Sequence, residues 1–151
     1  MPTPSLSWKT AHRFATKTSS SPLTSGTLFN WYGSIEIAHI IGRVTTAIQA
    51  QATTIKLSMV ADALGAYDLC TAKDANAFAV GSLISITGTA ADAVVSTTGV
   101  GTLGPGQANP IVATCIVSGT LTVTYGAPST GSIAWEVLWR PLTRAGVVIP
   151  A

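Results

Sequence analysis

The sequence predicts an all-β protein, an antiparallel β-sandwich or jelly-roll-like body preceded by an extended N-terminal arm. Three observations support this fold class. About eight short segments are rich in Val, Ile, Thr or Tyr. Each of these segments is bounded by Gly, Pro, Asn or Asp. Helical periodicity is almost absent. Such segments are typical of a sandwich, in which two sheets each bury one face against the other sheet.

Composition divides the chain into an arm, residues 1–26, and a body, residues 27–151. The arm is rich in Ser, Thr and Pro and contains no acidic residue. Such a composition buries too little apolar surface to order by itself. We therefore expect its large and basic side chains to contact a partner: Leu6, Trp8, Lys9, Arg13, Phe14 and Lys17. The alternative is a terminal segment folded back on its own domain.

The first two strands of the body are predicted from alternation of apolar and polar residues. The first covers residues 34–46, and the second covers residues 53–60. In the first strand the period of two places four side chains on one face: Ile35, Ile37, His39 and Ile41. In the second, three apolar side chains share a face: Ile55, Leu57 and Met59.

The rest of the body continues the β pattern. Short strands are predicted at residues 67–71, 83–87, 93–97, 111–117 and 121–125, and a clear one at residues 132–140. Ser118 and Gly119 predict a tight hairpin, and the Gly- and Pro-rich residues 99–110 predict a long loop. The only helical signal is at residues 74–79, where Asp74 is a candidate cap.

The low content of charge favours assembly. Charged residues make up 9% of the chain, compared with roughly 25% in typical soluble proteins. The sequence has no run of about 18 apolar residues, so we expect no membrane segment. The body has five basic and six acidic residues, too few cations to form a nucleic-acid-binding surface. Nucleic acid is therefore an alternative partner for the arm only. We expect low-charge surface to be covered in an oligomer.

No set of residues predicts catalysis, a metal or a cofactor. His12 and His39 are the only histidines, and neither belongs to a recognisable triad. Cys70 and Cys115 have no zinc-ligand spacing and are interpreted as buried thiols. The six acids show no calcium-loop pattern. We expect a protein that is not an enzyme.

Two further motifs have simple interpretations. Residues 99–104 match G-x-G-x-x-G, but Pro105 follows directly and prevents the helix that a phosphate site requires. A sugar-binding platform would need exposed aromatic side chains, and four are candidates: Trp31, Tyr32, Trp135 and Trp139. Because Trp135 and Trp139 alternate with apolar residues, a core or subunit interface is favoured for them. The N-terminal residues lack the pattern of a secretory signal, so synthesis in the cytoplasm is expected.

Four stretches of the sequence resemble small β-rich virion proteins of tailed bacteriophages, a group that includes capsid decoration proteins and neck or fibre components. The stretches are residues 41–57, 67–72, 82–88 and 131–142. The resemblance implies a homotrimeric subunit on the outer surface of a capsid, which binds the major capsid protein and reinforces the lattice. The arm would contact coat protein or neighbouring subunits. The alternative is a receptor- or glycan-recognition module of a neck or tail fibre.

Overall fold

A computed structural model describes residues 11–62, 64–97 and 113–151. In these residues two six-stranded antiparallel sheets pack face to face, which confirms the all-β sandwich. The strands are β1 (Arg13–Ser19), β2 (Gly26–Tyr32), β3 (Ile35–Thr46), β4 (Thr54–Ala61), β5 (Gly65–Asp68), β6 (Lys73–Asp74), β7 (Leu83–Ser85), β8 (Val95–Ser96), β9 (Ala113–Cys115), β10 (Gly119–Tyr125), β11 (Ser132–Pro141) and β12 (Val147–Pro150).

In each sheet five strands pair side by side, and a sixth, short strand pairs with one of these five. The first sheet has the order β1-β11-β3-β7-β8, and β9 also pairs with β3. The second has the order β12-β2-β10-β4-β5, and β6 also pairs with β4. The core between them is filled by inward side chains of both sheets, as alternation along each strand requires.

Part of the predicted arm belongs to the sandwich. Strand β1 pairs along its whole length with β11, from Arg13 opposite Trp139 to Ser19 opposite Ile133. Ala15 is buried in the core. For Arg13–Ser19 the structure therefore shows the alternative interpretation, a segment folded on its own domain. Residues 1–10 lie outside the described residues.

A bulge in β3 changes which side chains face the core. Leu138 pairs with His39 but the next residue, Trp139, pairs with Ile37, so Ala38 is an extra residue in the ladder. Ile35 and Ile37 face the core before the bulge, whereas Ile40 and Val44 face it after the bulge. The prediction that His39 and Ile41 share a face with Ile35 and Ile37 is therefore wrong.

Ser118 and Gly119 do not form a hairpin. Strand β9 pairs with β3 in the first sheet, whereas β10 pairs with β2 and β4 in the second. The short segment between them is a connection from one sheet to the other. At this corner the backbone passes close to Trp31, whose Nε1 donates a hydrogen bond to the carbonyl of Val117 at 2.6 Å. A Cβ on Gly119 would lie 2.3 Å from the carbonyl oxygen of Val60.

The predicted helical turn at residues 74–79 is absent from the described part of the chain. Asp74 ends β6, and its Oδ1 accepts a hydrogen bond from the backbone N–H of Asn76 at 2.9 Å. This contact is an Asx turn, a local alternative to a helix cap. The chain then turns through Ala77, whose φ is 56°, so no helix can propagate from Asp74.

Three of the four aromatic residues considered for a sugar-binding platform are buried in the core. Trp31, Trp135 and Trp139 are all buried, with at most 3% of each exposed, which confirms the core interpretation of Trp135 and Trp139. Tyr32 is half-exposed at the end of β2. The described structure therefore lacks a platform made from these four aromatic residues.

Gly119→Ala should destabilise the fold, because the added methyl group would meet the Val60 carbonyl and the Trp31 ring at 2.3 and 2.5 Å. Overpacking of this kind costs about 1–3 kcal/mol. Urea unfolding should therefore show a lower midpoint with an unchanged slope. Gly26→Ala is the matched control, because nothing lies within 4 Å of its added Cβ. Equal stability of the two variants would contradict the close approach at the corner.

Candidate interaction face

The outer surface of the first sheet carries the candidate site, which we call the β11 face. Pairing brings its side chains into cross-strand rows on β1, β11 and β3. The rows are Phe14–Leu138–His39, Thr16–Glu136–Ile41 and Thr18–Ala134–Arg43. The inward residues of β11 fill the core, so the intervening residues must point outward.

The apolar part of this face is open to solvent. Phe14 is 66% exposed, and Leu138 and Ile41 are half-buried. Together with His39 and Glu136 they line a groove of about 130 Å³. A groove of about 390 Å³ continues from Ile41 and Glu136 towards three further outward side chains: Arg43, Leu83 and Ala134. Contiguous exposed apolar surface, as opposed to a single exposed side chain, is typical of interaction sites.

The two acidic residues of the first sheet differ in their partners. Glu36 forms a bidentate pair with Arg140, with Nε–Oε1 at 2.7 Å and Nη2–Oε2 at 2.8 Å. Hydrogen bonding to Glu36, and its charge, raise the pKa of Arg140. Glu136, in contrast, is exposed in the middle of β11 and makes no ion pair within the described residues. The β11 face therefore offers a carboxylate without an ion-pair partner in the described residues, between Thr16 and Ile41 of the neighbouring strands.

The structure separates the predicted arm residues. Phe14 lies on the β11 face. Arg13 instead has its guanidinium carbon 5.5 Å from the centre of the Trp139 ring, a cation–π contact. The ammonium of Lys17 donates to the carbonyl oxygen of Ala151. Leu6, Trp8 and Lys9 lie outside the described residues.

Alternation along β1 explains this separation. Phe14 and Thr16 point away from the core, whereas Ala15 points into it. Arg13 and Lys17 share the inward side with Ala15 because the period of a strand is two. Both long side chains reach intramolecular partners at the edge of the sandwich, so their charges stabilise contacts within the subunit.

Sequence reasoning did not identify His39, Ile41, Glu136 and Leu138 as one surface. The signal that was present is the alternation of β11, which places Glu136 and Leu138 on the side opposite the buried residues. The missing information was the identity of the neighbouring strand β1 and the bulge at Ala38.

The outer surface of the second sheet has a different character at its centre. On β10, threonines point outward: Thr120, Thr122 and Thr124. Next to them Asp68 accepts hydrogen bonds from Ser58 at 2.8 Å and from Lys56 at 3.2 Å. Both hydrogen bonds lower the pKa of Asp68, and the bond from Ser58 has the larger effect. The two charged side chains on this part of the surface, Lys56 and Asp68, therefore pair with each other, whereas Glu136 makes no ion pair within the described residues.

The thiols of the described residues are buried, and the metal-ligating side chains of these residues form no group of three or more. Cys70 and Cys115 are both buried and free. Burial raises the pKa of Cys70 and raises that of Cys115 to about 11. In the described ranges no three metal-ligating side chains come together. The described structure also contains no helix long and apolar enough to cross a membrane.

The chain matches no protein-family model, no curated protein sequence and no solved structure.

Cys115 should resist alkylation in the folded protein until the pH approaches about 11, the raised pKa of its thiol. A thiol is nucleophilic only as the thiolate, which burial disfavours. In denaturant, where the pKa returns to about 8.5, iodoacetamide should label both cysteines readily at pH 8.5. Mass spectrometry of labelled protein measures this difference, and Cys70→Ala isolates the signal of Cys115.

The same shift has a consequence for stability. The folded state holds the Cys115 proton more tightly than the unfolded chain, so its contribution is fully present below about pH 8.5 and is lost as the pH rises to about 11. Rapid labelling of native Cys115 at pH 8.5 would show that the thiol is accessible and would contradict its burial.

Proposed function

We propose that this chain is a structural subunit of a tailed-phage virion, a homotrimeric decoration protein that binds the outer capsid surface and stabilises the lattice. The single observation that best supports an assembling subunit is the open apolar β11 face around Phe14, with its unpaired Glu136. The assignment to a phage virion rests on the sequence resemblance at residues 41–57, 67–72, 82–88 and 131–142. The proposed partners are further copies of the chain and the major capsid protein.

Composition supports the same proposal. Only 9% of the residues are charged, and several of those charges are neutralised in the pairs Arg140–Glu36 and Lys56–Asp68. Interface cores are depleted of charged residues relative to the rest of a protein surface. A subunit whose faces are covered by neighbours has less need of surface charge than a free monomer has.

The alternative function, glycan or receptor recognition on a fibre, gains less support. Three of its four candidate aromatic residues are buried, as described above for Trp31, Trp135 and Trp139. The loop at residues 99–110, its other candidate contact surface, lies outside the described residues.

Capsid binding tests the proposal directly. The chain should be mixed with particles assembled from the major capsid protein encoded by the same genome and sedimented. We expect the full-length chain to co-sediment at saturable stoichiometry and to raise the temperature at which the particles disrupt, because a ligand of the assembled state stabilises it. An unrelated β-sandwich of similar mass controls for trapping. A chain that stays in the supernatant would contradict the proposal.

The arm is tested by truncation, and the cut must end at residue 10. A deletion through residue 19 would remove β1 and with it the whole ladder to β11. In the proposal the arm contacts neighbouring subunits, so its removal should reduce avidity for the lattice. We expect a loss of about tenfold or more in apparent affinity, equivalent to about 1.4 kcal/mol. Unchanged co-sedimentation of the truncated chain would exclude a role for residues 1–10.

A further inference from the structure

We propose that the groove of the β11 face binds residues 1–10 of a second copy of this chain. Leu6 and Trp8 would be the apolar anchors, and Lys9 would pair with Glu136. The inference deepens the proposed function, on which it rests, by naming the surface that receives the arm.

The groove has the chemistry to bind such a segment. Its lining contains three apolar side chains, Phe14, Ile41 and Leu138, together with the imidazole of His39 and the carboxylate of Glu136. Residues 1–10 contain three large apolar side chains, Met1, Leu6 and Trp8, with one basic residue, Lys9, and no acid. An aromatic anchor in an apolar pocket beside a complementary charge is the arrangement that dominates binding energy in interfaces.

The position of β1 relative to the groove also fits. Strand β1 begins at Arg13, and the next residue, Phe14, is at the rim of the groove. Ten extended residues span at most about 33–36 Å. Three adjacent strands cover only about 10 Å between the outer two, so the segment can cross from one subunit and still lie over β1, β11 and β3 of another.

The same subunit is a poor donor of the segment. To enter its own groove the chain would have to reverse direction immediately before β1. Tight reversals favour Gly, Pro, Asn, Asp or Ser, and the residues at that point are Thr10, Ala11 and His12. Binding to a neighbouring copy, as proposed, would require no such reversal.

Binding of this kind is heterologous, because a segment of one subunit enters a groove of the next. Heterologous contacts either close into a ring or continue as a filament. A closed ring of three is the cyclic trimer of the proposed function. The inference therefore supplies a contact that would hold such a trimer together.

Native mass spectrometry of the full chain and of three point variants tests the inference. We expect the full chain and Thr122→Lys to be oligomers. At the same concentration Trp8→Ala and Leu138→Lys should be monomers, because each substitution should weaken association of the subunits at least tenfold. Thr122→Lys is the matched control, because it places the same charge at an outward position of a central strand, β10, in the second sheet. Circular dichroism verifies that each variant is folded.

A peptide of residues 1–10 gives a second test that needs no variant of the body. Added in excess to the full chain, it should dissociate the oligomer, whereas the same peptide with Trp8→Ala should not. An oligomer that survives the peptide and both variants overturns the inference but leaves the trimer and capsid binding in place. A monomeric full chain overturns the inference and removes the trimer, and capsid binding then remains separately measurable by sedimentation.

Discussion

The core and the candidate site both depend on the packing of strand β11 and on its pairing with β1 and β3. The inward side chains of β11, Ile133, Trp135, Val137 and Trp139, are almost completely buried, and its outward ones form the middle of the β11 face. Trp135 pairs with Gly42 of β3, where an added Cβ would lie 2.7 Å from the indole ring. The large ring therefore fits only because its neighbour is glycine. Pairing with β1 and β3 on either side then fixes which outward side chains are adjacent.

The sequence predicts the elements whose alternation is regular and fails where it is interrupted. The alternation predicts β4 and β11 closely because apolar residues recur at every second position. It predicts the position of β3 but not its faces, because the bulge at Ala38 interrupts the period. In β2 a bulge buries both Leu28 and Phe29, which breaks the period. Strand β1 buries only the small Ala15. The pairing partners of both strands are distant in the sequence, so no local pattern reports the pairing.

The same limit applies to topology and to the candidate site. The turn residues Ser118 and Gly119 indicate a change of direction, but only the pairings of β9 and β10 show that the chain moves between sheets. Likewise, one extra residue at Ala38 moves His39 and Ile41 from the core side to the surface. A shift of one residue reverses the faces of a strand, so the composition of the β11 face could not be derived from the period alone.

The two arm cations within the described residues, Arg13 and Lys17, both contact their own subunit, and this changes the meaning of a basic arm. Arg13 lies over Trp139, and Lys17 binds the carbonyl of Ala151, so both hold β1 against its own subunit. Phe14, between them, points the opposite way and remains exposed. The alternation of one short strand thus assigns its charges to folding and its aromatic ring to the surface. Recognition by the β11 face should consequently depend on apolar contact, with charge complementarity at Glu136 orienting the partner, rather than on a general attraction between a basic segment and acidic surfaces.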